Sequence, residues 1–180
     1  MNIIYLIGAP GAGKTTLTEA FTRDWQETAR LDDPVKYRKH TTPLGETISL
    51  GWLRPNFGGT DTLGNTAIIP IESWLPTLPN LMPNLVYLYG EGDRLANARF
   101  FNLAKSIGHL YLFYLNTSPE LTAQRRRERA ALTGKEQNPT WVKGRETKHK
   151  NLAHQFNAHE ISGDLTPEYG AQLMWNVILS

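Results

Sequence analysis

Gly8-Ala9-Pro10-Gly11-Ala12-Gly13-Lys14-Thr15 follows directly on the apolar run Ile3-Ile4-Tyr5-Leu6-Ile7. The eight residues satisfy G-x-x-x-x-G-K-[ST] at every position, and they sit between a strand-like run and a helical pattern (Leu17, Ala20, Phe21 and Trp25). Strand, glycine-rich turn and helix start, in that order, are what a phosphate-binding loop needs. The glycines let the backbone wrap a phosphate, with N–H groups pointing inward at the helix N-terminus. Lys14 is expected to reach the β- and γ-phosphates of ATP and Thr15 to ligate Mg2+. Gly8 through Thr16 is therefore the predicted nucleotide-binding segment.

The rest of the composition narrows the setting. The chain has 180 residues, 40% of them apolar and 20% charged, with no cysteine. Disulfides, zinc–thiolate sites and thiol nucleophiles are thereby excluded. No apolar run approaches the ~20 residues of a membrane-spanning helix. The N-terminus lacks the basic stretch and cleavage site of a signal peptide. A single cytoplasmic domain over residues 1–180, with no membrane partner, is the expectation.

Net charge is only +2, but it is unevenly spread. Residues 1–90 hold seven Lys/Arg against eight Asp/Glu, whereas residues 121–151 hold nine against three. A basic block of that density attracts phosphates, of a nucleotide or of a nucleic acid backbone.

Three apolar runs, Ile3–Ile7, Leu85–Tyr89 and Leu110–Leu115, do not alternate and suit central parallel strands buried on both faces. Val35–His40 alternates weakly and reads as a more exposed strand; Ala158–Ser162 is a short fifth. Helical spacing recurs after the third strand (Ala96, Phe100, Leu103, Ile107), and Ser118-Pro119-Glu120 and Thr166-Pro167-Glu168 are helix starts. Strands alternating with helices predict a parallel α/β sheet. Residues 41–84, with six prolines and five glycines, lack periodicity and read as an acceptor-binding insertion of unassigned secondary structure.

Candidate chemistry outside the loop falls in three places. Glu91-Gly92-Asp93 lies just past the third strand, where a carboxylate can order Mg2+ through water or take a proton from an attacking hydroxyl. Asp61, in a Gly-Gly-Thr-Asp turn, is a second candidate to bind the acceptor. Arg125, Arg126, Arg127 and Arg129 crowd one predicted helix, and positions 125 and 129 share a face. Their guanidinium forks suit phosphate oxygens, and Arg145 is a candidate second clamp. No N-K-x-D base-reading motif is present, which argues against a GTPase. The five histidines are scattered, so no metal site is assigned to them.

With these pieces the chain resembles the nucleoside-monophosphate kinase-like branch of P-loop kinases. The resemblance implies a three-layer sandwich: a five-stranded parallel sheet in order 2-3-1-4-5, helices on both faces, an ATP site, an acceptor region and an arginine lid over residues 121–151. Phe57-Gly-Gly-Thr-Asp61, Glu91-Gly-Asp93-Arg94-Leu95 and Trp141-Val-Lys143-Gly-Arg145 look like phage-encoded kinases of DNA hypermodification. Those phosphorylate the hydroxymethyl group of 5-hydroxymethyluracil within DNA. The implied substrate contacts are Arg54, Phe57, Asp61, Arg94, Trp141 and Lys143. The implied catalytic set is Lys14, Asp61, Glu91, Asp93, Arg125, Arg129 and Arg145. A base handled inside DNA must be flipped out, and Trp52, Phe57, Trp74 and Trp141 are the aromatic faces available to hold it. Two alternatives stay open: a kinase of free nucleosides or nucleoside monophosphates, and an ATP-dependent DNA-binding protein without an acceptor. The oligomeric state is not legible.

Overall fold

A computed structural model describes residues 1–52 and 58–180. The chain divides into two compact units, residues 1–5 with 22–111 and residues 6–21 with 112–180. Strand β1 (Asn2–Gly8) passes from the first unit into the second, and β6 (His109–Asn116) does the same. Ile3 through Ile7 are all fully buried, as a non-alternating apolar strand requires.

The first unit also carries β2 (Gln26–Leu31), β3 (Tyr37–Thr42), β4 (Gly45–Leu50) and β5 (Leu85–Glu91). β2 pairs antiparallel with β3, and β3 with β4, whereas β4 runs parallel to β5. With β7 at His159–Ser162, the strand order among the described residues is β2-β3-β4-β5-β1-β6-β7. The sheet described thus has seven strands in mixed orientation, a correction to the five parallel strands expected. The reason lies in one connection. Strand β3, foreseen near residues 35–40 as more exposed but in fact largely buried, reaches β4 through Pro43 and Leu44 alone, and Thr42 Oγ1 closes that turn on the Gly45 carbonyl at 2.9 Å. A parallel crossover needs a dozen or more residues, so a two-residue link forces a hairpin. The parallel neighbour of β5 is therefore β4, within the stretch left unassigned.

That stretch is well structured where described. After β4 come a 3-10 turn (Gly59–Thr62), α2 (Ile68–Trp74) and α3 (Leu78–Leu81), and Ile71, Leu75 and Leu78 are buried. Helix α4 (Ala98–Ile107) starts where Asn97 Oδ1 accepts the Phe100 N–H at 2.9 Å, an N-cap. Trp25, expected to continue the first helix, lies beyond it. Its ring packs on His40 and Tyr89, at 5.5 and 5.7 Å between centroids.

The second unit holds the glycine-rich loop, α1 (Lys14–Phe21), α5 (Pro119–Thr133), α6 (Pro139–Gln155), β7 (His159–Ser162) and α7 (Pro167–Leu179). β6 and β7 pair in parallel, Tyr114 opposite Glu160. α1 packs on α7 through Phe21, whose ring stacks on Trp175 at 4.5 Å. Asn138 caps α6 and Thr166 caps α7. Among the described residues no helix is long and apolar enough to cross a membrane.

Candidate active site

The glycine-rich loop in the second unit is held from outside by its carbonyls. Gly8 O accepts from Lys14 Nζ at 2.8 Å and from His149 Nδ1 at 2.6 Å. Ala9 O accepts the Ala12 amide at 3.0 Å and Lys14 Nζ at 3.2 Å. Arg126 donates to Pro10 O at 3.1 Å, while Ala12 O takes both Arg125 and the Thr117 hydroxyl at 2.8 Å. Gly11 and Gly13 have φ of 84° and 100°, a left-handed backbone of the kind that turns successive amides into an anion-binding nest. A Cβ on Gly13 would lie 2.8 Å from the tip of the Arg125 side chain, which can shift, so it is the torsion that favours glycine there.

This geometry redistributes the arginines. Arg125 and Arg126 grip the loop carbonyls, and Arg126 also lies 3.6 Å from Glu146. Arg127 and Arg129 are exposed on α5. Arg145 sits over the Trp141 ring at 5.5 Å from its centroid, a cation–π contact, and Trp141 is 43% exposed. Lys143 is exposed on the same helix. The hard hydroxyl oxygen of Thr15, at the start of α1, is chemically suited to Mg2+ shared with phosphate oxygens, and the left-handed glycine turn suits the phosphates themselves. Thr16 is exposed.

The first unit gathers the three predicted carboxylates around a buried hydroxyl pair. Glu91 ends β5 and is 2% exposed. Thr60 Oγ1 lies 2.8 Å from the Glu91 carbonyl, to which it donates, and 2.9 Å from Tyr5 Oη. The phenol donates to the Gly92 carbonyl at 3.2 Å. Burial, then the charges of Asp61, Glu91 and Asp93, push the Tyr5 hydroxyl well above its ordinary range, against the Thr60 hydrogen bond. Tyr5 therefore stays a donor. Asp61 Oδ1 accepts the backbone amides of Asp93 and Arg94 at 2.7 and 3.2 Å, which fastens the 3-10 turn to the loop after β5. Gly59 has φ of 57°, and a Cβ there would meet the Glu91 carbonyl at 2.5 Å.

Of the predicted substrate contacts, Arg94 donates to Asn65, and Trp74 packs on Tyr37 at 4.9 Å. Trp52 lies under Lys36, with Nζ 4.8 Å from the ring centroid. Arg54 and Phe57 lie outside the described residues.

Sequence reasoning missed Tyr5, Thr60, Arg126 as a loop anchor, and His149. Two of these left a signal. Tyr5 is the one residue of its apolar run with a hydroxyl that must find a partner once buried. His149 stands seven residues after Val142 and three before Leu152, on the buried stripe of α6.

A family model described as P-loop Nucleotide Kinase3 matches residues 1–170. No curated protein matches. Among solved structures, a sugar kinase from Janibacter sp. HTCC2649 is 12% identical, with 99% of this chain and 94% of that one covered and a TM-score of 0.53. A gluconokinase from Sinorhizobium meliloti 1021 is 13% identical, with 99% and 96% covered and a TM-score of 0.50. At such identities the likeness is one of fold.

Proposed function

Because the chain belongs to the P-loop Nucleotide Kinase3 family, and is thus a P-loop kinase, we propose that it moves the γ-phosphoryl group of ATP to the hydroxymethyl group of 5-hydroxymethyluracil in DNA. The donor side rests on one observation: a left-handed glycine turn with Gly8, Ala9, Pro10 and Ala12 carbonyls all engaged. Amides of that turn and Lys14 would hold the β- and γ-phosphates, and Thr15 would hold Mg2+, which would supply shielding of phosphate charge.

In the transfer, the acceptor O–H bond breaks as the new P–O bond forms. The proton passes to Glu91, the most buried of the three carboxylates, and the bond from Pγ to the bridging oxygen breaks to release ADP. Asp61 keeps the Asp93–Arg94 backbone in place. Arg129, exposed with Arg127 on α5, is our candidate for meeting incoming phosphate, since Arg125 and Arg126 are engaged with the loop.

Support for a polymeric acceptor is electrostatic and aromatic. Arg127, Arg129, Lys135, Lys143 and Lys150 are exposed on or near α5 and α6, with half-exposed Trp141 among them. Cations that face water can pair with a nucleic acid backbone, and an exposed indole can stack on an unpaired base. The test is transfer of labelled γ-phosphate from ATP with Mg2+ to duplex DNA containing 5-hydroxymethyluracil, beside unmodified DNA and a panel of free nucleosides and monophosphates. Label confined to the modified DNA is the expected result. Label only in a free nucleoside or nucleotide would return the enzyme to monomer metabolism. DNA binding without any labelled product would overturn the transfer itself.

A further inference from the structure

Gly8 O is shared by two donors of different kinds, the mobile ammonium of Lys14 at 2.8 Å and the imidazole of His149 at 2.6 Å. A backbone carbonyl only accepts, so Nδ1 of His149 carries the proton. His149 is 1% exposed, midway along α6. From this arrangement we infer that His149 is the positioning residue that releases Lys14 to the nucleotide.

The inference deepens the reading of the loop as an ATP site and rests on it. Before nucleotide arrives, Lys14 spends its charge on the carbonyls of Gly8 and Ala9. To reach a phosphate it must leave both. Ala9 O keeps the Ala12 amide at 3.0 Å, and Gly8 O keeps His149. A buried carbonyl that loses its donor is costly, so without the imidazole part of the gain from the Lys14–phosphate contact is lost to Gly8. The same bond ties α6 to the end of β1, which fixes the direction in which the chain enters the glycine turn. Arg126 ties α5 to the turn at Pro10 and reaches toward Glu146 on α6, so both helices of the basic block are fastened to the loop they serve.

The test compares His149→Leu, which removes the donor, with His149→Asn, whose side-chain amide can present N–H close to where Nδ1 stood. Mg-ATP is the probe. Its dissociation constant is read by calorimetry, its KM and kcat by label transfer, and folding by thermal unfolding without nucleotide. In the leucine variant Kd and KM for ATP should rise tenfold or more while kcat at saturation changes less than threefold, since Lys14 itself is kept and saturating ATP recovers its contact with phosphate. The asparagine variant should recover most of that loss. Equal ATP affinity in wild type and leucine variant overturns the inference and leaves the ATP site standing. A wild type that binds no ATP takes down both. If the leucine variant does not fold, nitrogen NMR of the wild-type imidazole decides. Nδ1 should stay protonated with and without Mg-ATP, and a move of the proton to Nε2 on binding overturns the inference.

Discussion

On the proposed reading, Lys14 has to trade its Gly8 and Ala9 carbonyl partners for phosphate oxygens, a trade that needs a long cationic side chain. Lys14→Ala should lower phosphoryl transfer by roughly a hundredfold or more, the scale typical for loss of one preorganised charge contact, with little change in unfolding; label transfer and thermal melting read the two. His40 shows a different residue-scale effect. Its Nε2 is 2.6 Å from Ser49 Oγ in a buried setting. Burial, then the Arg38 charge, depress its pKa to about 4, with Glu27 opposing. The fold therefore holds His40 neutral, while the unfolded chain takes up a proton once pH falls below about 6.5. Stability present above that value should decline as pH drops from 6.5 to 4, by about 3 kcal/mol over the full window if the shift is realised in full. Denaturant unfolding at pH 7.5 and pH 5 checks it, and His40→Asn should flatten the difference; an unchanged slope would remove His40 as the cause.

At the scale of elements, two short connections decide how the chemistry-bearing residues are presented. The 3-10 turn meets the end of β5 so closely that Gly59 admits no side chain. Gly59→Ala should cost roughly 1–3 kcal/mol from torsion and overlap and shift the Glu91–Asp93 backbone, seen as a lowered midpoint of urea unfolding together with reduced transfer. The start of α6 depends on Asn138, whose side chain accepts the Trp141 amide at 3.1 Å. Asn138→Ala should cost about 1 kcal/mol and loosen Trp141 in particular. A near-ultraviolet dichroism change at 25 °C without global unfolding is the expected signature.

For the molecule as a whole, the uneven charge sets the conditions of its action. If the exposed cations of residues 121–151 meet a DNA backbone, transfer to modified DNA at subsaturating DNA should fall steeply with salt. A drop of roughly tenfold or more from 50 to 200 mM is expected for even a few phosphate contacts. Transfer to a free nucleoside in the same buffer should change far less, and equal salt dependence for the two would count against a polymer substrate.

The contiguous features were legible in advance because their physics is local. The loop motif, the buried runs of β1, β5 and β6, and the starts of α5 and α7 each lie within a few neighbouring residues. They were enough to identify a P-loop kinase fold and to mark Gly8 to Thr16 as its candidate loop. What depended on contacts far apart in the chain was decided only by tertiary structure. β2 is largely exposed and β4 is split between polar and apolar residues, so neither announced itself; pairing across a hairpin made them strands. Arg125 and Arg129 share a helix face and were both read as catalytic, yet packing of α5 gives Arg125, together with Arg126, to the loop carbonyls. His149 had no motif at all. Its role comes from lying 141 positions from the carbonyl it touches, and a separation of that kind is resolved by the folded core alone.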